Sequence, residues 1–242
     1  MKALLTKNYT VPTSQCDNKG KLSFTNIFTV FIDLACEHAE HLNMGACDLA
    51  PKNLFWVAVK TKIKIHRRPE ILKELEASTW PEEPGRIRCN RYYTLKENGE
   101  LLCEGKTEWA MINTATGRPA RVNEAYNQDI EHLTDTVCEE PYAKTDEDFT
   151  DCEVLAEYKV KSTDIDIGQH MNNIAYIRAL FGVFSCAEIE ALNIKEIDIS
   201  YRLQCYEGEI LTIKQRKTDN IIEIGFIKDE NKTATTVRIK CE

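Results

Sequence analysis

Apolar residues recur with helical spacing in two places along the chain. Ile27, Val30, Phe31, Leu34 and Leu42 fall on one face of a predicted helix, with Gly45 as its expected terminator. Ile174, Ile177, Phe181 and Phe184 repeat the spacing, and Asn172 stands where an N-cap belongs. Both segments are apolar around much of their circumference, so each should be wrapped by a sheet. Strand periodicity follows each helix. Val57, Val59, Thr61, Ile63 and Ile65 alternate with Ala58, Lys60, Lys62, Lys64 and His66, which predicts a strand with one wet face. Asn98-Gly99 lies between RCNRYYTLK and ELLCEGKTEWAMIN, a strong short-range hairpin signal. IIEIGFIK, a polar DENK turn and TATTVRIK repeat the device later. The expected architecture is α+β, with a long antiparallel sheet around one central helix, built twice.

Duplication is also visible in residue identities. Tyr9 to Asp17 (YTVPTSQCD) resembles Tyr158 to Asp166 (YKVKSTDID) at an offset of 149, and Lys62 to Arg68 (KIKIHRR) resembles Asp198 to Gln204 (DISYRLQ) at an offset of 136. The expected organisation is an N-terminal repeat over 1–126, an acidic linker over 127–153 and a C-terminal repeat over 154–242. The linker contains ten Asp and Glu against Lys144 alone, so the formal charge of −8 resides mostly there. The remainder is close to neutral, and a strongly basic nucleic-acid binder is not indicated.

With 242 residues, 43% of them hydrophobic and 29% charged, the composition is globular. The richest apolar stretch, Ile27 to Cys36, is interrupted by Asp33, so no membrane span is expected. The apolar run near the N-terminus is too short for a signal peptide, and the expected location is cytoplasmic. Ten cysteines without a C-x-x-C spacing read as reduced thiols filling apolar space, not as disulfides or zinc ligands. His38, His41, His66 and His132 are expected on helix, strand or linker surfaces, and no metal is implied.

The candidate chemistry is concentrated in Ser162 to Tyr176, STDIDIGQHMNNIAY. The matching stretch of the first half has Asp17 opposite Asp166, but Lys21 opposite His170 and Ser23 opposite Asn172. A duplicate that keeps the fold without the polar set indicates that folding does not require that set. Asp164 and Asp17 themselves read as turn or capping residues.

The pattern D-x-D-x-x-x-H-x-N-N-x-x-Y is similar to the active-site motif of acyl-ACP thioesterases, which are double hotdog-fold enzymes. LFWVAVKTKIKIHRRP, TGRPARV and ISYRLQCYEGE also look like segments of that family, so the resemblance covers nearly the whole chain. It implies two tandem hotdog repeats, with the N-terminal one forming the acyl pocket and the C-terminal one carrying the catalytic motif. It implies Asp166 and His170 as catalytic residues, with Asn172, Asn173 and Cys205 supporting the site. Two positions depart: Gly168 stands where the family commonly has Asn, and Gln204 stands at the position of its catalytic Glu. Hydrolysis of fatty acyl-ACP without a cofactor is the implied activity, with an acyl-CoA thioesterase or a non-catalytic acyl-binding protein as alternatives.

The chemistry is coherent with these residues. Asp166 can serve as base or nucleophile, and His170 can hold water or stabilise developing charge. Gln204 can orient a water but cannot take its proton, and Cys205 reads as a neighbour, not a nucleophile. Lys60, Lys62, Lys64 and Arg67 form a candidate docking stripe for an acidic carrier protein, with Arg86, Arg88, Arg91 and Arg118 as rivals. A homodimer is compatible with this reading.

Overall fold

Asn98 and Gly99 both adopt left-handed conformations, with φ of 51° and 84°, as a two-residue hairpin turn requires. They join β4 (Arg88–Glu97) to β5 (Glu100–Asn113). The computed structural model containing this hairpin describes residues 3–242. The chain forms two units, Met1–Glu140 and Pro141–Glu242. In the first, β1 (Leu5–Thr10), α1 (Phe24–His41), α2 (Ala46–Leu49), β2 (Leu54–Ile65) and β3 (Glu74–Pro81) precede the hairpin, and β6 (Arg118–Pro119) follows it. Its strands are ordered β1-β3-β4-β5-β2, antiparallel throughout.

The second unit contains β7 (Glu153–Lys159), α3 (Asn173–Gly182), α4 (Cys186–Ala191), β8 (Ile194–Tyr201), β9 (Ile210–Thr218), β10 (Ile221–Ile227) and β11 (Thr233–Cys241). Its order, β7-β9-β10-β11-β8, is the order of the first unit strand for strand. Each unit is therefore an antiparallel sheet with one principal helix, the α+β hotdog arrangement.

The predicted face of α1 is buried, with Ile27, Val30, Phe31 and Leu34 all inside. Phe31 stacks on Tyr93 of β4 at 4.8 Å between centroids. Gly105 on β5 makes this approach feasible, because a Cβ there would stand 2.7 Å from the Phe31 ring.

Three expectations need correction. The helix α1 ends at His41, and Asn43 just beyond its C-cap Leu42 takes φ 57°, while Gly45 instead caps the start of α2. In α3 the buried set is Ala175, Tyr176, Ile177, Ala179 and Leu180, and Phe184 lies beyond its end. In β2 the alternation breaks at a bulge between Ala58 and Lys60. Thr61, Ile63 and Ile65 are buried as expected, but so are Ala58 before the bulge and Lys62 after it. The extra residue shifts the side-chain parity at the bulge, and the acidic segment approaches the lysine face beyond it.

That acidic segment is packed onto both units. In the first, Ile130 and Cys138 are buried, Trp80 donates Nε1–H to the Asp135 carbonyl at 2.8 Å, and Lys64 pairs with Glu140. In the second, Phe149 is buried with the Arg216 guanidinium 4.6 Å over its ring. No helix among the described residues is long and apolar enough to cross a membrane.

Replacing Gly105 by Ala should cost about 1–3 kcal/mol, because the new methyl presses on a buried ring and on the Lys62 carbonyl. Urea denaturation checks this, and a Phe31→Leu background should recover part of the loss.

Candidate active site

The predicted catalytic segment is a tight hairpin between β7 and α3. Its base is set by Asp164, whose buried carboxylate receives the Tyr158 hydroxyl at 2.7 Å, the Lys161 N–H at 2.9 Å and the Arg178 guanidinium at 2.9 Å. Burial alone would raise the Asp164 pKa, but these donors together hold it below the ordinary carboxylate range. Asn172 N–H donates to the Asp164 carbonyl at 2.8 Å, and Met171 N–H to the Cys205 carbonyl at 2.7 Å. Between these anchors, Asp166 N–H meets the His170 carbonyl at 3.2 Å and Gln169 turns back with φ 61°.

The turn brings Asp166 and His170 to one point. A Cβ built on Gly168 would stand 3.0 Å from Asp166 Oδ1 and 3.0 Å from His170 Nε2. Because residue 168 has no side chain, that point is open and bounded by these two atoms. The Gly168 N–H donates to Asp166 Oδ1 at 2.8 Å, and among the described residues no cation pairs with the carboxylate. His170 Nδ1 faces the Met171 carbonyl at 3.2 Å. A carbonyl only accepts, so this contact selects the tautomer with the proton on Nδ1, and Nε2 is the atom that borders the point beside Gly168.

The supporting residues divide. Asn172 caps α3, its Oδ1 accepting from Ala175 N–H at 2.8 Å, and the Asn173 carbonyl accepts the Tyr201 hydroxyl at 3.3 Å. Cys205 is fully buried; burial pushes its thiol pKa up, although a hydrogen bond with Tyr176 works the other way. It is a core neighbour. Gln204 is exposed, and its Oε1 accepts the Tyr206 hydroxyl at 2.8 Å. Its side chain is thus not hydrogen-bonded to Asp166 or His170. Among the described residues no cluster of three His, Cys, Asp or Glu forms a metal-binding set.

The first unit builds the same loop with different charges. Asp17 N–H meets the Lys21 carbonyl at 2.8 Å, Lys19 N–H donates to Asp17 Oδ1 at 2.9 Å, Leu22 N–H reaches the Pro69 carbonyl at 2.8 Å, and Ser23 caps α1. Each bond has its counterpart in the second unit at the offsets of 149 and 136. Here, however, Arg68 forms an ion pair with the Asp17 carboxylate. Burial would raise the Asp17 pKa, but this partner and the loop amides keep it low. Residue-by-residue reading overlooked that contact, although the second offset places Arg68 opposite Gln204.

Two surface expectations fail. His38 is buried, with Arg91 Nη1 donating to its Nδ1 at 2.9 Å, so Arg91 is also no surface cation. The proposed docking stripe is not an open face either. Lys62 is buried, Lys64 is paired with Glu140, and Arg67 is shared by Glu97 and Glu100. Lys106, directly opposite Lys62, donates to the Glu140 carbonyl at 2.8 Å. Adjacent lysines on paired strands repel, and the acidic segment supplies the compensation.

Asp164→Asn should destabilise the protein by about 2–4 kcal/mol at neutral pH, leaving three donors facing a neutral amide. The folded-state pKa of Asp164 is depressed, so its contribution is present above the unfolded pKa and lost as pH falls through the folded one. Denaturation midpoints of the two proteins should therefore converge in acid.

The family model "Acyl-ACP thioesterase N-terminal domain" matches residues 2–130, and "Acyl-ACP thioesterase C-terminal domain" matches residues 147–242. A palmitoyl-acyl carrier protein thioesterase of Gossypium hirsutum is 25% identical over 189 residues, 74% of this chain and 46% of the relative. An oleoyl-acyl carrier protein thioesterase of Arabidopsis thaliana is 26% identical over 198 residues, 74% of this chain and 53% of the relative. The chain thus aligns with about half the length of these curated relatives. Among solved structures, an acyl-ACP thioesterase from Bacteroides thetaiotaomicron superposes with a TM-score of 0.86 at 20% identity, covering 99% of this chain and 98% of the other. The 12:0-ACP thioesterase from Umbellularia californica superposes at 0.82 with 16% identity, covering 99% and 97%. Both structures share the fold, and the two family matches together span most of the sequence: the chain belongs to the acyl-ACP thioesterase family.

Proposed function

We propose that this protein hydrolyses fatty acyl-ACP to free fatty acid and ACP, using Asp166 and His170. The observation that carries the reading is the convergence of Asp166 Oδ1 and His170 Nε2 on the open point beside Gly168, in one of two otherwise matching loops. The first loop neutralises its aspartate with Arg68, whereas in the second Asp166 has no cation partner among the described residues and shares the point beside Gly168 with His170 Nε2.

In this mechanism a water between the two side chains is held by Asp166 and loses a proton to His170 Nε2 or to the carboxylate itself as oxygen attacks the thioester carbon. Amides at the start of α3, left outside the helical ladder, lie at the positive end of its dipole and are suited to a developing oxyanion. The pantetheine thiolate is a good leaving group, so the site needs no strong general acid. ACP is the partner that delivers the substrate in this reading.

Rates on a panel of saturated acyl-ACPs and matched acyl-CoAs test the proposal. Turnover of acyl-ACP, with CoA esters slower, is expected. Preference for CoA would reassign the carrier, and no turnover with retained acyl binding would make the protein a binding module.

Asp166→Asn should reduce turnover by ~10²–10⁴-fold without loss of fold. A variant keeping more than about a tenth of the rate would remove Asp166 from the chemistry. Gly168→Ala is a finer probe, because its methyl would meet both functional atoms. It should lower kcat by roughly 10-fold through their displacement, while the melting temperature stays near that of the unaltered chain.

A further inference from the structure

We infer that Tyr206 is a positioning residue that fixes Gln204 as a hydrogen-bond donor to the reacting oxygen; this rests on the reading of the site proposed above. The repeat provides the geometric basis. Leu22 N–H to the Pro69 carbonyl in the first unit corresponds to Met171 N–H to the Cys205 carbonyl in the second. His66 and Arg67 N–H to the Leu102 carbonyl likewise correspond to Arg202 and Leu203 N–H to the Ala234 carbonyl. The position of Gln204 is therefore the position of Arg68. From there, the Arg68 side chain reaches the Asp17 carboxylate. This position in the fold therefore adjoins the aspartate of its own loop.

Gln204 is held by two contacts. Its Oε1 accepts the Tyr206 hydroxyl at 2.8 Å and its backbone carbonyl accepts Lys228 Nζ at 2.8 Å. Tyr206 is secured in turn: its N–H donates to Glu209 Oε2 at 2.9 Å, and Lys228 lies 5.6 Å over its ring while pairing with Glu209 at 2.9 Å. The first repeat has Glu70 where Tyr206 stands, so it has no equivalent hydroxyl. The Tyr206 hydroxyl engages the amide oxygen and so orients the amide, leaving the two Nε2–H groups as its donors to other atoms. They suit an oxygen that gains negative charge, while Asp166 and His170 remain the proton acceptors.

A double-mutant cycle with a pH profile tests this on the acyl-ACP that the chain hydrolyses fastest. Tyr206→Phe removes one oxygen and should lower kcat ~3–10-fold with KM unchanged, about the effect of losing one orienting hydrogen bond. In a Gln204→Ala background the same change should have no further effect. Gln204→Glu exchanges two donors for a charge and should be slower than the native protein at neutral pH. Its profile should gain an acidic limb that Tyr206→Phe moves upward by roughly 0.5–1 pH unit, since the hydroxyl favours the ionised carboxylate.

An undiminished Tyr206→Phe effect in the Gln204→Ala background, or a faster Gln204→Glu variant, overturns the inference. So does an acidic limb indifferent to Tyr206, the result expected of a purely structural residue. If Gln204→Glu is inactive, the Gln204→Ala cycle decides. Failure of the underlying site reading is distinguishable, because it would show as turnover retained by Asp166→Asn.

Discussion

The site depends on a single backbone hydrogen bond, from Met171 N–H to the Cys205 carbonyl at 2.7 Å. It ties the end of the Asp166–His170 turn to the segment leaving β8. Without it, the turn is closed only by bonds within itself, Asp166 N–H to the His170 carbonyl and Asn172 N–H to the Asp164 carbonyl among them, and a hairpin of that size is marginal in water. With it, the turn, the N-cap of α3 and residues 203–206 form one frame. Asp164 completes that frame beneath the turn by collecting donors from β7, the following loop and α3.

The same frame in the first unit carries no comparable pair of functional groups. Its aspartate accepts loop amides in the same geometry and is then neutralised by an arginine. An ion pair there neutralises the aspartate, whereas Asp166 has no cation partner among the described residues and lies beside His170 across the Gly168 position. Under the proposed function, the contrast exchanges stability for reactivity on a common scaffold. Only a few side chains separate the two outcomes, because the backbone hydrogen bonds are the same.

Charge elsewhere is used for packing. The lysines of β2 and β5 lie on adjacent strands and hold the acidic segment around Glu140, while Arg216 covers buried Phe149. The segment between the repeats is rich in charge but has apolar residues spaced along it. Those residues, Ile130, Cys138 and Phe149, anchor it to the units on which it lies. Acidity in a sequence therefore need not signal a free tether when cations on a neighbouring sheet require compensation.

The sequence by itself determined the duplication, the Asn98-Gly99 hairpin, the buried stripe of α1, the N-cap at Asn172 and the segment that carries Asp166 and His170. These features are local: turn dihedrals, helical period and capping are set by residues a few positions apart. The fate of Lys62, His38, Arg68 and Gln204 was decided only by tertiary structure. A bulge at Ala58–Lys60 changes which side of β2 a residue occupies, and no periodicity announces it. His38 on α1 meets Arg91 on β4, Arg68 meets Asp17 from 51 residues along the chain, and Gln204 turns to a tyrosine two residues away instead of to Asp166. Each outcome depends on which side chains the folded backbone brings within about 3 Å of one another, and that is a property of the sheet register and loop closure, which a linear pattern does not specify.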